Sequence, residues 1–199
     1  MSATYQLKKY VHYKLNAKDE HSIHSPFVFK LYTEVIDNRN KFYAYDELNK
    51  IRQELLSNNE AIEVTDLGAG SKKMSNTRKI SDIAKCSVVN QKYGELIFRL
   101  TEYFKPNSIL ELGTSLGLST LYLSKAAPKA SIITVEGCPN TYRFATNLLI
   151  RHAELDSASV SQKYKVISIQ DRRREGNIIF AFRPKKNEPL HRVYIHYVK

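Results

Sequence analysis

The chain has 199 residues with a formal net charge of +11, and 42% of its residues are hydrophobic while 26% are charged. These values are typical of one globular domain with a real core, with or without appendages. An apolar run of about eighteen residues and the apolar core of a signal peptide are both missing, which argues against a membrane span and against secretion. Two cysteines, Cys86 and Cys138, form neither a disulfide framework nor a metal-ligand spacing, so we expect a cytoplasmic protein without a metal site.

The positive charge is concentrated towards the end of the chain. Residues 151–199 contain 11 Lys and Arg against 5 Asp and Glu, whereas residues 1–150 contain 20 against 15. A basic chain of this kind is compatible with a nucleic-acid partner. No basic motif with interleaved aromatic residues accompanies the charge, however. A solvated basic surface with an unusual tail is therefore the favoured interpretation, and nucleic-acid binding is the weaker alternative.

Residues 1–90 are predicted to form an N-terminal helical segment. Apolar and aromatic side chains recur at helical spacing over residues 5–17 and again over residues 45–56. Between them, Pro26 follows a serine that is suited to cap a helix, so a further helix is predicted from Pro26 to about Asp37.

Two histidines precede the helix predicted at Pro26. His21 and His24 are three residues apart, a spacing that suggests a metal site. They lie before the start of the helix and not on one of its faces. A loop that packs on the domain is therefore favoured over a metal site.

Residues 62–71 (Ile-Glu-Val-Thr-Asp-Leu-Gly-Ala-Gly-Ser) combine an apolar run, an acid and two glycines, as a cofactor-binding loop would. Three features argue against a cofactor loop. The strand-like part is short and contains polar residues, and Lys72 and Lys73 follow directly after the loop. In addition, no strand that ends in an acid appears about twenty residues later. We therefore expect a loop that leads to a helix over residues 76–85, near a substrate entrance. A cofactor loop at this place is the alternative.

A stronger candidate follows a helix predicted over residues 91–104. Residues 108–112 (Ser-Ile-Leu-Glu-Leu) form an apolar run that predicts a buried strand. The chain then turns, with glycines at Gly113 and Gly117, and apolar residues resume at helical spacing from Leu118. A strand, a glycine turn and a helix place backbone N–H groups and a helix N-terminus at the carboxyl end of the strand, where small polar or anionic parts of a ligand bind.

The next predicted strand, residues 131–136, ends in an acid nineteen residues after Gly117. In nucleoside-binding α/β units, an acid at about this distance in the sequence accepts hydrogen bonds from the ribose hydroxyl groups. The dinucleotide fingerprint requires a glycine where this sequence has Ser115. A carboxylate at Glu111 would also repel a pyrophosphate, whereas it suits a cationic ligand that carries an amino group.

The residues from Glu111 to Gly117 (Glu-Leu-Gly-Thr-Ser-Leu-Gly), followed by Glu136, resemble motif I and the acidic second-strand tip of the class I S-adenosylmethionine-dependent methyltransferases. The O-methyltransferase-like branch is the most similar. The resemblance covers about residues 90 to 150 and implies an α/β fold with a Rossmann-like sheet, S-adenosylmethionine as cofactor and a small-molecule acceptor. An ordinary βαβ unit, whose glycines only permit tight packing, is the alternative.

The same resemblance implies a set of cofactor-binding residues, namely Glu111, Gly113, Thr114, Ser115, Gly117 and Glu136. The four loop residues would wrap the methionine and ribose parts, Glu111 would lie near the amino group, and Glu136 would hold the ribose. Tyr93 and Gly94 are weaker candidates, because the start of the preceding helix lies over the cofactor in this branch; a core or turn role is at least as well supported. No catalytic residue is implied.

The pattern changes at Arg151. Residues 151–159 (Arg-His-Ala-Glu-Leu-Asp-Ser-Ala-Ser) resemble the peptide read from dispersed repeat DNA that interrupts some bacterial genes. This resemblance implies a methyltransferase core over residues 91–150, interrupted or truncated there, and an atypical basic tail over residues 151–199 outside the family's reading frame. Loss of the C-terminal half would impair the enzyme. A non-catalytic remnant, or a basic protein that binds nucleic acid or another partner, is the alternative.

The less favoured alternative is that this tail still contributes three strands. Residues 166–169 could add a third strand to the sheet, with Asp171 as an acid on the adenine side. Residues 177–182 and 193–198 could pair as a hairpin. The oligomeric state is left open by the sequence.

Overall fold

The computed structural model describes residues 3–17, 23–65, 76–152, 164–168, 177–182 and 191–196. The chain divides into two compact units, Met1–Lys41 and Phe42–Lys199. The domain boundaries proposed at residues 90 and 150 stay predictions.

The first unit is helical, as its sequence predicts. Helix α1 is Ala3–Asn16, and α2 is Pro26–Leu31, which continues into a π-helical segment at Tyr32–Ile36. The hydroxyl of Ser25 accepts a hydrogen bond from the N–H of Val28 at 3.4 Å and so caps α2. Both helices expected here are thus confirmed. His24 precedes α2, and His21 lies outside the described residues.

The second unit begins with α3 (Tyr45–Ser57), a two-stranded antiparallel hairpin of β1 (Ala61–Glu63) and β2 (Thr77–Lys79), and α4 (Ile80–Cys86). The prediction of a helix over residues 76–85 is therefore wrong for its first residues, because the helix begins only at Ile80. Thr77–Lys79 pairs with β1, and the N–H of Ile80 donates to the carbonyl of Glu60 at 2.9 Å. These partners satisfy backbone groups that the first turn of a helix leaves unpaired. Residues 66–75, with the two glycines of the competing loop, lie outside the described residues.

A three-stranded parallel sheet follows, with helices between its strands. Its elements are α5 (Gln91–Phe104), β3 (Ser108–Leu112), α6 (Leu118–Ala126), β4 (Ser131–Glu136), α7 (Pro139–His152) and β5 (Tyr164–Ser168). The strand order is β3-β4-β5. This is the order of one half of a doubly wound nucleotide-binding sheet, in which successive strands are added on the same side.

The predicted α/β class and Rossmann-like sheet are confirmed, and so is the third strand in the tail. Strand β5 pairs in parallel with β4, with Ser168 opposite Glu136. Asp171 lies outside the described residues. The hairpin that the sequence offered as an alternative is also present, with its second strand starting two residues earlier than predicted: β6 (Asn177–Phe182) pairs antiparallel with β7 (His191–His196) in a sheet of its own.

The core of the second unit lies among the helices beside the parallel sheet. Leu48, Phe98 and Tyr122, from α3, α5 and α6, are all almost completely buried. Strand β3 is less enclosed than predicted, since Leu110 is 39% and Leu112 is 58% exposed. The prediction of a buried strand is wrong for these two side chains. They share one face of the strand, and in the described part of the chain β3 pairs with a neighbour on one side only.

In the described ranges, no helix is long and apolar enough to span a bilayer. Among the same residues, no three His, Cys, Asp or Glu side chains are grouped in a way that could hold a metal ion.

Candidate functional site

The loop between β3 and α6 adopts an unusual backbone conformation. Gly113 has φ 94°, Ser115 has φ 49° and Gly117 has φ 87°, all in the region that favours glycine. The N–H groups of Gly113 and Thr114 both donate to the carbonyl of Val135, at 2.9 and 3.0 Å. The loop is thus tied to the end of β4. A Cβ atom added at Gly113 would meet no atom of the described residues within 4 Å, so none of them covers this side of the loop.

Glu136, at the tip of β4, is directed at this loop. One oxygen of its carboxylate accepts the N–H of Ser115 at 2.8 Å, and the other accepts the N–H of Cys138 at 2.9 Å. The acid therefore bridges the loop and the turn that begins α7. Each carboxylate oxygen has two lone pairs, so acceptor capacity is left for a ligand.

Glu111 lies in a different environment, among threonine hydroxyls. Its Oε2 accepts hydrogen bonds from Thr120 at 2.5 Å and from Thr134 at 2.6 Å. The hydroxyl of Thr134 is also 2.6 Å from that of Thr114. Because Thr114 is only 1% exposed, its side chain belongs to the support of the loop, and the loop offers its backbone at this position.

A cavity of about 370 Å³ lies beside Glu136. One wall comes from the loop between β3 and α6, the end of β4 and the start of α7, and consists of Ser115, Glu136, Gly137, Cys138 and Thr141. The other wall comes from the hairpin and α4, namely Val64, Thr65, Arg78, Ile83 and Ser87. The start of the segment that was expected near a substrate entrance therefore lines this cavity.

Cys138 connects the two walls. Its sulfur accepts the N–H of Thr65 at 3.3 Å, and the side-chain amide of Asn140 donates to the carbonyl of Glu63 at 2.9 Å. Burial opposes ionisation of the Cys138 thiol, but the side-chain hydrogen bond from Thr141 and backbone hydrogen bonds outweigh it and lower its pKa. The thiol is only 4% exposed, which fits an anchor of the hairpin better than a nucleophile.

Gly94, at the first turn of α5, has a packing role. A Cβ atom added there would overlap the ring of Tyr122, which is fully buried on α6. Tyr93 beside it is 58% exposed. The glycine is therefore explained by the close approach of α5 and α6, without a ligand.

The structure brings all six predicted cofactor-binding residues to the carboxyl ends of β3 and β4. Thr120 and Thr134 were missed. Their hydroxyls converge on Glu111 from a helix and a neighbouring strand, so no spacing within one element marks them. Of the cavity wall formed by the hairpin and α4, the sequence pointed only to Val64 and Thr65, which belong to the segment predicted near a substrate entrance.

No protein-family model and no curated protein matches the sequence. Solved structures do match it. The methyltransferase PaMTH1 of Podospora anserina, bound to SAH, is 16% identical, and the match covers 74% of this chain and 51% of that one, with a TM-score of 0.41. The O-methyltransferase TomG of Streptomyces achromogenes, in complex with SAM, is 18% identical over 77% of this chain and 52% of that one, with a TM-score of 0.37.

A third match is the O-methyltransferase of Bacillus cereus in complex with SAH, at 16% identity over 66% of this chain and 46% of that one, with a TM-score of 0.37. These three matched structures are methyltransferases by name. The chain spans about half the length of each of these three proteins.

Proposed function

We propose that the chain binds S-adenosylmethionine at the loop between β3 and α6 and acts as a methyltransferase on a small molecule. The observation that carries this proposal is the Glu136 carboxylate, which accepts the N–H of Ser115 and so lies directly beside the loop. A strand-tip acid held against a loop of left-handed residues is the arrangement that binds a nucleoside through its ribose diol.

The charges at the loop favour a cationic ligand. Glu111 and Glu136 are the acidic residues of the loop and the adjoining strand tip, residues 111–117 contain no lysine or arginine, and the cationic residue of the cavity wall, Arg78, belongs to the hairpin. An anionic pyrophosphate would be repelled by these carboxylates, whereas the sulfonium and ammonium groups of S-adenosylmethionine would be attracted. Ser115 occupies the position that the dinucleotide fingerprint reserves for glycine, which argues in the same direction.

The cofactor supplies an activated methyl group when it is bound. In this proposal Glu136 orients the ribose, and the backbone from Gly113 to Gly117 holds the methionine part. The cavity between the loop and the hairpin has a volume in the range of small-molecule sites. Holding an acceptor oxygen or nitrogen in line with the methyl group is the main contribution of such a site. No catalytic base is assigned.

Glu136→Gln tests the assignment. The substitution removes the charge and leaves only one oxygen for the ribose and the two N–H groups, and a hydrogen bond to a charged group contributes about 1.5–3 kcal/mol. We expect S-adenosylmethionine to bind more weakly by a factor of about 10 to 100. Glu54→Gln, on the exposed face of α3, is the matched control and should bind as the unmodified chain does.

Thermal unfolding with and without the cofactor gives the measurement. A ligand at one hundred times its Kd stabilises a protein by about 2.7 kcal/mol, which is about 5–10 °C in the midpoint for a chain of this size. The unmodified chain and Glu54→Gln should show this shift, and Glu136→Gln should lose about half of it or more at the same cofactor concentration. Equal shifts in all three proteins would contradict the proposal.

A further inference from the structure

We propose that Thr134 is a positioning residue that holds the loop between β3 and α6 in its ligand-ready conformation before any ligand binds. As far as the cofactor is concerned, this inference rests on the function proposed above. Thr134 lies on β4, two residues before Glu136, and is not one of the described residues that line the cavity beside that acid.

The hydroxyl of Thr134 is the centre of a chain of hydrogen bonds. It lies 2.6 Å from the hydroxyl of Thr114 in the loop and 2.6 Å from Oε2 of Glu111 on β3. The hydroxyl of Thr120 on α6 reaches the same oxygen of Glu111 at 2.5 Å. Thr134 therefore joins the loop to β3 directly, and Glu111 extends the same network to α6.

The direction of these hydrogen bonds follows from the number of protons. An ionised carboxylate only accepts, and each threonine hydroxyl has one proton to give. Thr134 therefore gives its proton to Glu111, and Thr114 must give its own proton to Thr134. The order of donation is Thr114 to Thr134 to Glu111, and each hydroxyl in the chain has a partner.

Burial makes this chain of hydrogen bonds important. Thr134 and Thr120 are fully buried and Thr114 is 1% exposed, so water cannot easily replace a lost partner. A buried polar group that loses its partner is destabilising, because nothing then offsets its removal from water. Ser115, with φ 49°, has a left-handed conformation that a residue other than glycine keeps only where the surroundings fix it.

Three consecutive residues of β4 then share the support of one loop. Thr134 binds the side chain of Thr114, the carbonyl of Val135 accepts two loop N–H groups, and the carboxylate of Glu136 accepts the N–H of Ser115. A loop that is already ordered spares the ligand the cost of ordering it. Thr134 would thereby increase affinity without touching the ligand.

The test compares Thr134→Val, which replaces the hydroxyl by a methyl group, with Thr134→Ser, which keeps it. Thr146→Val on α7 is the matched control, because it removes a threonine hydroxyl that donates to the carbonyl of Tyr142 at 2.8 Å, within the same helix. Two quantities are measured: the Kd for S-adenosylhomocysteine, and the amide exchange rate of Ser115 in the unliganded protein.

We expect Thr134→Val to weaken binding about tenfold, which corresponds to the loss of one buried hydrogen bond, and to accelerate exchange at Ser115. Thr134→Ser should restore both values to within about twofold, and Thr146→Val should change neither. Should Thr134→Val fail to fold, Thr114→Val removes the first donor of the chain and is expected to accelerate exchange in the same way.

Unchanged exchange at Ser115 in Thr134→Val, or in Thr114→Val if the first does not fold, would overturn the inference. The two proposals fail separately. If the unmodified chain binds no S-adenosylhomocysteine, the proposed function is wrong, while the exchange rate of Ser115 still decides whether Thr134 holds the loop.

Discussion

Two glycines of the loop allow the ligand side of the site to be identified by a pair of matched substitutions. Gly113 and Gly117 have nearly the same φ, 94° and 87°. An alanine at either position would be forced into a conformation that costs an L-residue about 1–2 kcal/mol. The two positions differ in what the new methyl group would meet. At Gly113 there is open space within 4 Å, whereas at Gly117 the nearest atom is Cβ of Ala145 at 3.5 Å, an ordinary contact.

Both substitutions should therefore lower stability by about the same amount, which is about 2–8 °C in the unfolding midpoint. Their effects on binding should differ. If S-adenosylmethionine lies on the open side of the loop, the methyl group of Gly113→Ala occupies part of its place, and affinity should fall about tenfold or more. Gly117→Ala faces the packed side against α7 and should lose less than about threefold.

Differential scanning fluorimetry gives the two midpoints, and equilibrium dialysis with labelled S-adenosylmethionine gives the two affinities. The reasoning fails if Gly113→Ala and Gly117→Ala lose stability equally and also bind equally well. It fails in another way if Gly113→Ala leaves stability unchanged, since the positive φ would then impose no cost.

Two further predictions concern the contact between α5 and α6. Gly94→Ala should destabilise the chain by about 1–3 kcal/mol in denaturant unfolding, because its methyl group would overlap the buried ring of Tyr122; an unchanged midpoint would show that the helices separate freely. Tyr122→Phe should stabilise it by about 1 kcal/mol, since the buried hydroxyl has no hydrogen-bond partner in the described part of the chain. Burial raises the pKa of Tyr122 to about 12, so the unfolded chain releases this proton first, and stability should fall as the pH rises from about 10 towards 12. Tyr122→Phe should show a smaller fall but keep part of it, because burial also raises the pKa of Tyr45. An identical pH dependence in both proteins would contradict the assignment.

The strongest features of the fold were predictable because their signals lie within single elements. The apolar runs at residues 108–112 and 131–136 and the intervening glycines predicted strand, turn and helix, and these elements are present. The spacing from Gly117 to Glu136 also placed the acid beside the loop, where it accepts the N–H of Ser115.

Other features depend on contacts between distant parts of the chain, and the sequence alone did not reveal them. Strand β2 is three residues long and polar, and it becomes a strand because β1 supplies its partners. The threonine network joins Thr120 and Thr134 to Glu111 through space, from two different elements. The exposure of Leu112 likewise depends on which neighbours β3 has, which an apolar pattern does not state.

Isothermal titration of the purified chain with S-adenosylmethionine tests the central claim most directly. The account predicts saturable heat with one cofactor per chain, and a Kd raised at least about tenfold in Glu136→Gln. Absence of heat from a chain that unfolds cooperatively, or equal affinity of the unmodified chain and Glu136→Gln, would contradict the claim that the acid at the tip of β4 and the adjoining loop form a cofactor site.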